Sequence, residues 1–178
     1  MLFRVPFLKR PETKRPPASG LAAAQLADLP YYLPNGWIGP TPNELLDRLA
    51  SQRDLYTLTT NQFNEVMAAL FRQLGATRVK VLESGDGDAG IDIRMLFEGG
   101  HCGLQCLFVP PSHKTTLKTV ERFASNLRST PCRIGYYLST GQLPYEAKTP
   151  LATTAIPIYL LDGSSIWTLI VNSRAHNA

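Results

Sequence analysis

The sequence predicts an α/β fold, in which a mixed central sheet is flanked by helices. Residues 91–97 and 102–109 resemble two strands joined by the tight turn Glu98-Gly99-Gly100, which makes an antiparallel hairpin. After this hairpin, helical and strand-like segments alternate, which is typical of parallel strands linked by helices. The chain has 178 residues, 44% of them hydrophobic, and can form one such domain with its own core.

Two helices and a strand are predicted before the hairpin. Thr41-Pro42-Asn43-Glu44 is typical of a helix start, with a Thr cap, a Pro at the first helical position and a Glu at the third. A second helix is expected from Thr60 to Leu74, and Gly75 is placed to end it. Residues 77–82 alternate like a strand. The apolar stripe of the second helix consists of Phe63, Val66, Met67, Leu70, Phe71 and Leu74.

The hairpin and the segments after it complete the predicted sheet. In the first hairpin strand, the two-residue period puts Ile91, Ile93, Met95 and Phe97 on one face and Asp92, Arg94 and Leu96 on the other. The later elements are a helix over 114–129, a strand over 134–138, a short helix over 144–152, a strand over 156–161, and a last helix through Ile166, Trp167 and Ile170.

The chain divides into an irregular, basic and Pro-rich arm (1–40), a linking helix (41–57) and the α/β domain (58–174). The whole formal charge of +4 lies in the first 20 residues, and the remainder is neutral. This distribution predicts that the arm contacts phosphates or an acidic partner, with a solubilising tail as the alternative. The basic residues of the arm are Arg4, Lys9, Arg10, Lys14 and Arg15.

Several functional classes are excluded by composition. No apolar run approaches the 18 residues of a membrane span, and the N-terminus does not resemble a secretory signal. Cys102, Cys106 and Cys132 form no CxxC pair, so we expect core residues rather than a zinc site or disulfides. A reducing cytoplasm fits this cysteine usage.

Two short motifs match only by letter. Gly85-x-Gly87-x-x-Gly90 has the dinucleotide spacing, but a strand follows it where a helix is required. The same loop fails as an EF-hand, because Ile91 stands where Gly is needed. His101, His113 and His176 have no metal-site spacing and are interpreted as surface residues.

The hairpin predicts a pair of oxygen ligands on neighbouring strands. If the turn centres on Glu98-Gly99, Asp92 faces Gln105, and side-chain alternation puts both on one face. A carboxylate and an amide oxygen are hard ligands that suit Mg²⁺, which usually takes one or two carboxylates together with water and phosphate oxygens. Such an ion would polarise a scissile phosphate and activate an attacking water.

The order of motifs over residues 58–171 resembles the Mrr-like branch of the restriction-endonuclease-like superfamily. Each piece is weakly specific, and the resemblance rests on their shared order and spacing. The matching segments are Leu58-Thr59-Thr60-Asn61-Gln62-Phe63 in the opening helix, Gly85-Asp86-Gly87-Asp88-Ala89-Gly90-Ile91-Asp92-Ile93 at the strand entry, Gly103-Leu104-Gln105-Cys106-Leu107 in the returning strand, Val120-Glu121-Arg122-Phe123-Ala124 in the next helix, and Leu161-Asp162-Gly163 near the end.

The resemblance implies a metal-dependent nuclease that cleaves DNA, often modified DNA, in host defence. Asp92 would be the metal carboxylate and Gln105 the second ligand of a Mg²⁺ ion. Leu107 stands where the family has its signature lysine, and Asn64 where the opening helix often has a Glu, with Glu65 one step around the helix. Lys114 or Lys118 from the next helix would be the replacement cation in an active enzyme.

Three functions remain open at this stage. The first is a DNA-interacting protein of this fold with a decayed or weak nuclease site, in DNA processing or defence. The second is an active Mg²⁺-dependent endodeoxyribonuclease with a relocated lysine. The third is a structural or protein-interaction module without nucleic-acid binding, which the neutral charge beyond the arm allows. Duplex DNA is the expected partner, and a protein partner or a homodimer is left open.

Overall fold

A mixed sheet of five strands forms the centre of the described structure. The computed structural model describes residues 40–82, 90–143 and 156–177, which lie within one compact unit, Gly39–Ala178. The strands lie side by side in chain order; the first three pair antiparallel and the last three pair parallel. This arrangement confirms the predicted fold class. The strands are β1 (Thr77–Val81), β2 (Ile93–Phe97), β3 (Gly100–Leu107), β4 (Ile134–Ser139) and β5 (Ile158–Leu161).

The helices that start at Pro42 and Thr60 begin where the sequence predicts, whereas the helix predicted over 114–129 begins only at Leu117, after its cap Thr116, so that Lys114 lies outside it. The Thr41 hydroxyl accepts from the Glu44 N–H, and the Glu44 carboxylate accepts from the Thr41 N–H at 2.7 Å, which confirms the predicted helix start. The predicted short helix over 144–152 and most of the loop over 84–90 lie outside the described residues. The helices are α1 (Pro42–Arg48), a 3-10 helix (Gln52–Thr57), α2 (Thr60–Gln73), α3 (Leu117–Arg128) and α4 (Gly163–Asn177).

The turn between β2 and β3 sets the register of the hairpin. Glu98 and Gly99 both have positive φ angles, 50° and 79°, as in the two-residue turns that match the twist of antiparallel strands. Phe97 therefore faces Gly100, and the pairing continues regularly to Ile93 opposite Leu104. The predicted centre of the turn is confirmed.

The two faces of the sheet are covered by different helices. On one face, Phe71 of α2 packs edge-on against Phe97 and Tyr136, with ring centroids 5.7 and 5.3 Å apart. On the other face, α3 buries Val120, Phe123, Ala124 and Leu127 against the strands. The helix α4 lies on the side of α2, since the Ser173 hydroxyl donates to the Gln73 amide oxygen.

Two glycines allow α3 to approach the sheet closely. A Cβ atom on Gly135 would lie 2.4 Å from one methyl of Leu127, and a Cβ on Gly103 would lie 2.7 Å from the other. Leu127 is fully buried, so its side chain fills the space above both glycines. The distance between α3 and the strands β3 and β4 depends on these two positions.

The strand alternation predicted for Ile91 is wrong. Ile93, Met95 and Phe97 share the face of α2, but Ile91 is buried in the apolar cluster under α3. The reason is a break in the hairpin ladder: the Asp92 N–H donates to the Leu104 carbonyl oxygen, one residue out of register. The two-residue period holds only while the ladder is regular.

Burial confirms the structural role of the cysteines. Cys102, Cys106 and Cys132 are buried, and no disulfide joins them. Within the described ranges, no helix is long and apolar enough to cross a membrane.

Gly135→Ala should destabilise the domain by about 1–3 kcal/mol, the usual cost of an overpacked core. The added methyl would meet Leu127, Ile158 and Phe123 at 2.4, 3.2 and 3.2 Å. Gly100→Ala is the matched control in β3, because its added methyl would meet nothing closer than 3.5 Å. Urea unfolding measures both, and equal midpoints for the two variants would contradict this account of α3 packing.

Candidate functional site

The Asp92 carboxylate lies where β2 stops pairing with β3. Its Oδ2 atom accepts a hydrogen bond of 2.6 Å from the Cys106 N–H. This N–H belongs to the peptide bond between Gln105 and Cys106. Beyond the last paired residues of β2 and β3, the Asp92 side chain supplies its acceptor in place of a backbone carbonyl of β2. The side chain of Asp92 is half-buried. The structure thus brings the predicted carboxylate to the backbone of the predicted second ligand.

Burial and hydrogen bonding act in opposite directions on Asp92. Burial raises the pKa of its carboxyl group above the usual value, and the Cys106 N–H partly offsets this effect because it stabilises the ionised form. The carboxyl group of Asp92 therefore lies in a partly desolvated place, where its ionised form is costly.

The Gln105 side chain extends from β3 towards Gly90. A Cβ atom on Gly90 would lie 3.2 Å from Gln105 Nε2 and 3.6 Å from Asn126 Nδ2 of α3. Gly90 also has a φ angle of 86°, which disfavours other residues. The two amides and Gly90 therefore meet just before Asp92. That the Asp92 and Gln105 side chains share one ligand stays a prediction.

Tyr137 and Arg122 join this region, and the sequence did not indicate either of them. Tyr137 lies opposite Gln105 in β4, and its ring packs 5.8 Å from that of Phe123. Burial raises the pKa of Tyr137 to about 12; the Arg122 guanidinium opposes this rise and the Asp92 charge adds to it. Only the parallel pairing of β3 with β4 brings these groups together, so no local signal could have found them.

Leu107 occupies an apolar environment. Its side chain packs against the apolar cluster under α3. Its neighbour in β4 is Ser139, whose hydroxyl lies 3.3 Å from that of Thr115, and both hydroxyl residues are buried. The position that corresponds to the signature lysine thus holds a partly buried alkyl side chain.

The two lysines proposed as replacement cations are both exposed. The backbone of Lys114 pairs with Gln142 just beyond β4, next to the Thr115–Ser139 contact. Lys118 lies in the first turn of α3. Neither placement establishes a catalytic role.

The opening helix contributes buried polar atoms rather than an exposed acid. Glu65 is only 9% exposed. Among the described residues, neither its Oε2 atom nor Oδ1 of Asn64 has a hydrogen-bond partner. Burial raises the pKa of Glu65, and the Arg72 guanidinium partly opposes this rise.

The described residues contain no cluster of metal-ligating side chains, and Asp92 and Gln105 are the pair that would hold a divalent cation together with water. Within residues 40–82, 90–143 and 156–177, no group of three or more His, Cys, Asp or Glu side chains is close enough to hold a metal ion. One carboxylate oxygen of Asp92 is already engaged by the Cys106 N–H. The basic residues Arg4, Lys9, Arg10, Lys14 and Arg15, and His176, were named from the sequence, and their side chains lie outside the described part.

The fold and this site define a class of protein. The mixed five-stranded sheet between helices matches the restriction-endonuclease-like fold. The restriction endonuclease family model Mrr_cat matches residues 55–170, well over half of the chain. The chain therefore belongs to the restriction endonuclease family.

Two solved structures are similar at low sequence identity. The DNA modification-dependent restriction endonuclease AspBHI is 18% identical with a TM-score of 0.49, covering 90% of this chain and 40% of that chain. MspJI restriction endonuclease in complex with a 27-mer oligonucleotide is 18% identical with a TM-score of 0.49, covering 91% of this chain and 36% of that chain. This chain thus spans well under half the length of either. No curated protein matches the sequence.

Asp92→Ala should destabilise the domain by about 1–3 kcal/mol, because the Cys106 N–H loses its acceptor in a partly buried place. Asp92→Asn keeps a side-chain oxygen and removes the buried charge, so its cost should be much smaller. Urea unfolding of both variants measures the difference. Equal losses would show that the hydrogen bond contributes nothing.

The stability of the protein should fall as pH rises through the titration of Glu65. Its folded-state pKa is raised, so the folded state retains the proton longer than the unfolded chain. Stability is therefore highest below the unfolded pKa and is lost as pH approaches and passes the folded one. Glu65→Gln should remove this decline.

Urea midpoints between pH 4 and pH 7 measure the decline, with Glu121→Gln as the control because Glu121 is exposed on α3. The Glu65→Gln midpoint should rise relative to wild type as pH increases, whereas that of Glu121→Gln should follow the wild type. If the difference in urea midpoint between Glu65→Gln and the wild type does not change with pH, the buried carboxyl group of Glu65 is not the cause of the decline in stability.

Proposed function

We propose that this chain is a DNA-interacting member of the restriction endonuclease family whose nuclease site is decayed or weak, with a role in DNA processing or defence. The observation that carries the proposal is Leu107. By resemblance, the family places a lysine there, and here an alkyl side chain packs into the apolar cluster under α3.

The loss of that cation is expected to be costly for phosphodiester cleavage. The reaction builds negative charge on the oxygens bound to phosphorus, and a positioned cation stabilises this charge in a partly dehydrated site. Leu107 cannot stabilise it. Loss of one such contact costs on the order of 10²–10³ in rate, by analogy with a deleted oxyanion donor.

Restriction-endonuclease-like nucleases generally use divalent metals, and Mg²⁺ is the ion proposed for an active form. Asp92 and Gln105 are the residues we propose as its ligands in that case. Asp92 has a second, structural role as the acceptor for the Cys106 N–H.

The alternative is an active Mg²⁺-dependent endodeoxyribonuclease with a relocated lysine. The position of Lys114 supports this alternative, because its backbone lies beside the Thr115–Ser139 contact, and Ser139 faces Leu107. Lys118 is a weaker candidate, because it is exposed on the outer side of α3.

Duplex DNA is the partner we propose, on the basis of family membership. The basic arm remains a second proposed contact, and a homodimer or protein partner is compatible with the chain. Cytoplasmic localisation stays a prediction from cysteine usage.

The purified protein should cleave duplex DNA weakly or not at all with Mg²⁺ or Mn²⁺. Leu107→Lys should gain cleavage if one lost charge accounts for the decay. Leu107→Met is the matched control, because it adds length without charge. Methylated and unmodified plasmids should both be tested, and loss of supercoiled DNA is the measurement.

Asp92→Asn serves as the blank, since it preserves the hydrogen bond to Cys106 better than Asp92→Ala. Efficient cleavage by the wild type that Asp92→Asn abolishes would disprove the decayed site. Lys114→Ala would then test the alternative, with Lys118→Ala beside it. If Leu107→Lys folds but stays inactive, the decay extends beyond this residue.

A further inference from the structure

The charge of the described domain is separated between its two sides. The segment before β1, residues 40–75, has a net charge of −1, from Arg48, Arg53 and Arg72 against Glu44, Asp47, Asp54 and Glu65. The segment that contains α3, residues 108–134, has a net charge of +4, from Lys114, Lys118, Arg122, Arg128 and Arg133 against Glu121. A domain that looks neutral in total therefore has one strongly basic element.

Two of these cations form a row on the outer surface of α3. Lys118 and Arg122 are four residues apart, so they lie on one side of the helix about 6 Å apart along its axis. Ser125 continues the row, and all three are exposed, opposite the buried stripe of the helix. No salt bridge within the described ranges involves Lys118 or Arg122. Their charge is thus available to an external anion.

The row leads to the edge of the sheet that holds Asp92. Asn126 is four residues beyond Arg122, and its amide lies beside Gly90, two residues before Asp92. Arg122 also precedes Phe123, whose ring contacts Tyr137 next to Gln105. One end of the basic row therefore borders the candidate site.

Two further cations stand on the strands next to the site. Arg94 stands directly opposite Gly103, whose missing Cβ points at Leu127 of α3, and Lys80 stands directly opposite Arg94. Both cations therefore project on the side of α3.

We infer that Lys118 and Arg122 of α3 form a surface that contacts the phosphates of duplex DNA. This contact would position the sugar-phosphate backbone of the DNA beside Asp92. This inference rests on the proposed function, which names DNA but no contact surface in the domain. The exposed side of α3 carries Lys118, Arg122 and Arg128 against Glu121, a net charge of +2, and this excess of positive charge suits a polyanion. Because the contact is to the sugar-phosphate backbone of the DNA, it does not depend on the base sequence.

The test measures the salt dependence of binding to a fluorescent duplex with the full-length chain. The double variant Lys118→Gln, Arg122→Gln should lower the slope of log K against log salt by nearly 2, since each phosphate contact contributes about 0.9. Arg48→Gln, Arg53→Gln is the matched control, because it removes the same charge from exposed positions in the acidic segment. It should leave the slope nearly unchanged.

A gain-of-contact variant makes the result independent of any loss of folding. Ser125→Lys adds a cation to the same row and should raise the slope by about 0.9. An equal fall in slope for both double variants would overturn the inference, because net charge alone would explain it. Wild-type binding with a slope that the α3 variants leave unchanged would also overturn it and place the contacts elsewhere, for example in the arm. If the wild type binds no duplex DNA at low salt, the proposed function itself fails.

Discussion

The close seating of α3 on the sheet is the constraint on which the rest of the structure depends. Leu127 fills the space that side chains at Gly103 and Gly135 would occupy. Because α3 lies this near to β3 and β4, its Asn126 amide reaches Gly90 and its Phe123 ring reaches Tyr137. The same seating points the basic residues of the helix outward. The site and the positive surface thus have one structural origin.

Asp92 joins the fold to the chemistry proposed for it. A nuclease metal site needs a carboxylate with free oxygens, whereas the end of β2 needs an acceptor for the Cys106 N–H. The same carboxyl group meets the second need in this chain, and burial makes its ionised form costly. An aspartate at this position is therefore useful to the fold even if the protein does not cleave DNA. Its presence alone is weak support for catalysis.

The proposed loss of nuclease activity and the basic helix fit one account of the domain. At the position where the resemblance places a cation, Leu107 packs against the apolar cluster under α3, and the buried hydroxyl groups of Thr115 and Ser139 lie beside it. Arg122, a cation near the site, lies on the exposed side of a helix. A surface of this kind is suited to hold phosphates through long-range attraction, which tolerates flexible side chains, whereas catalysis needs a fixed cation.

The sequence by itself determined the elements whose causes are local. The cap at Thr41, the stripe that ends at Gly75 and the Glu98-Gly99 turn depend on neighbours a few residues away, and the structure has them as predicted. The turn also fixed the pairing of Ile93 with Leu104. Only the tertiary structure decided that the ladder breaks at Asp92, that Ile91 turns under α3, and that Tyr137 and Arg122 border the site. These features depend on contacts between segments distant in the chain. Such contacts override the two-residue period of a strand, which is a local property of the sequence.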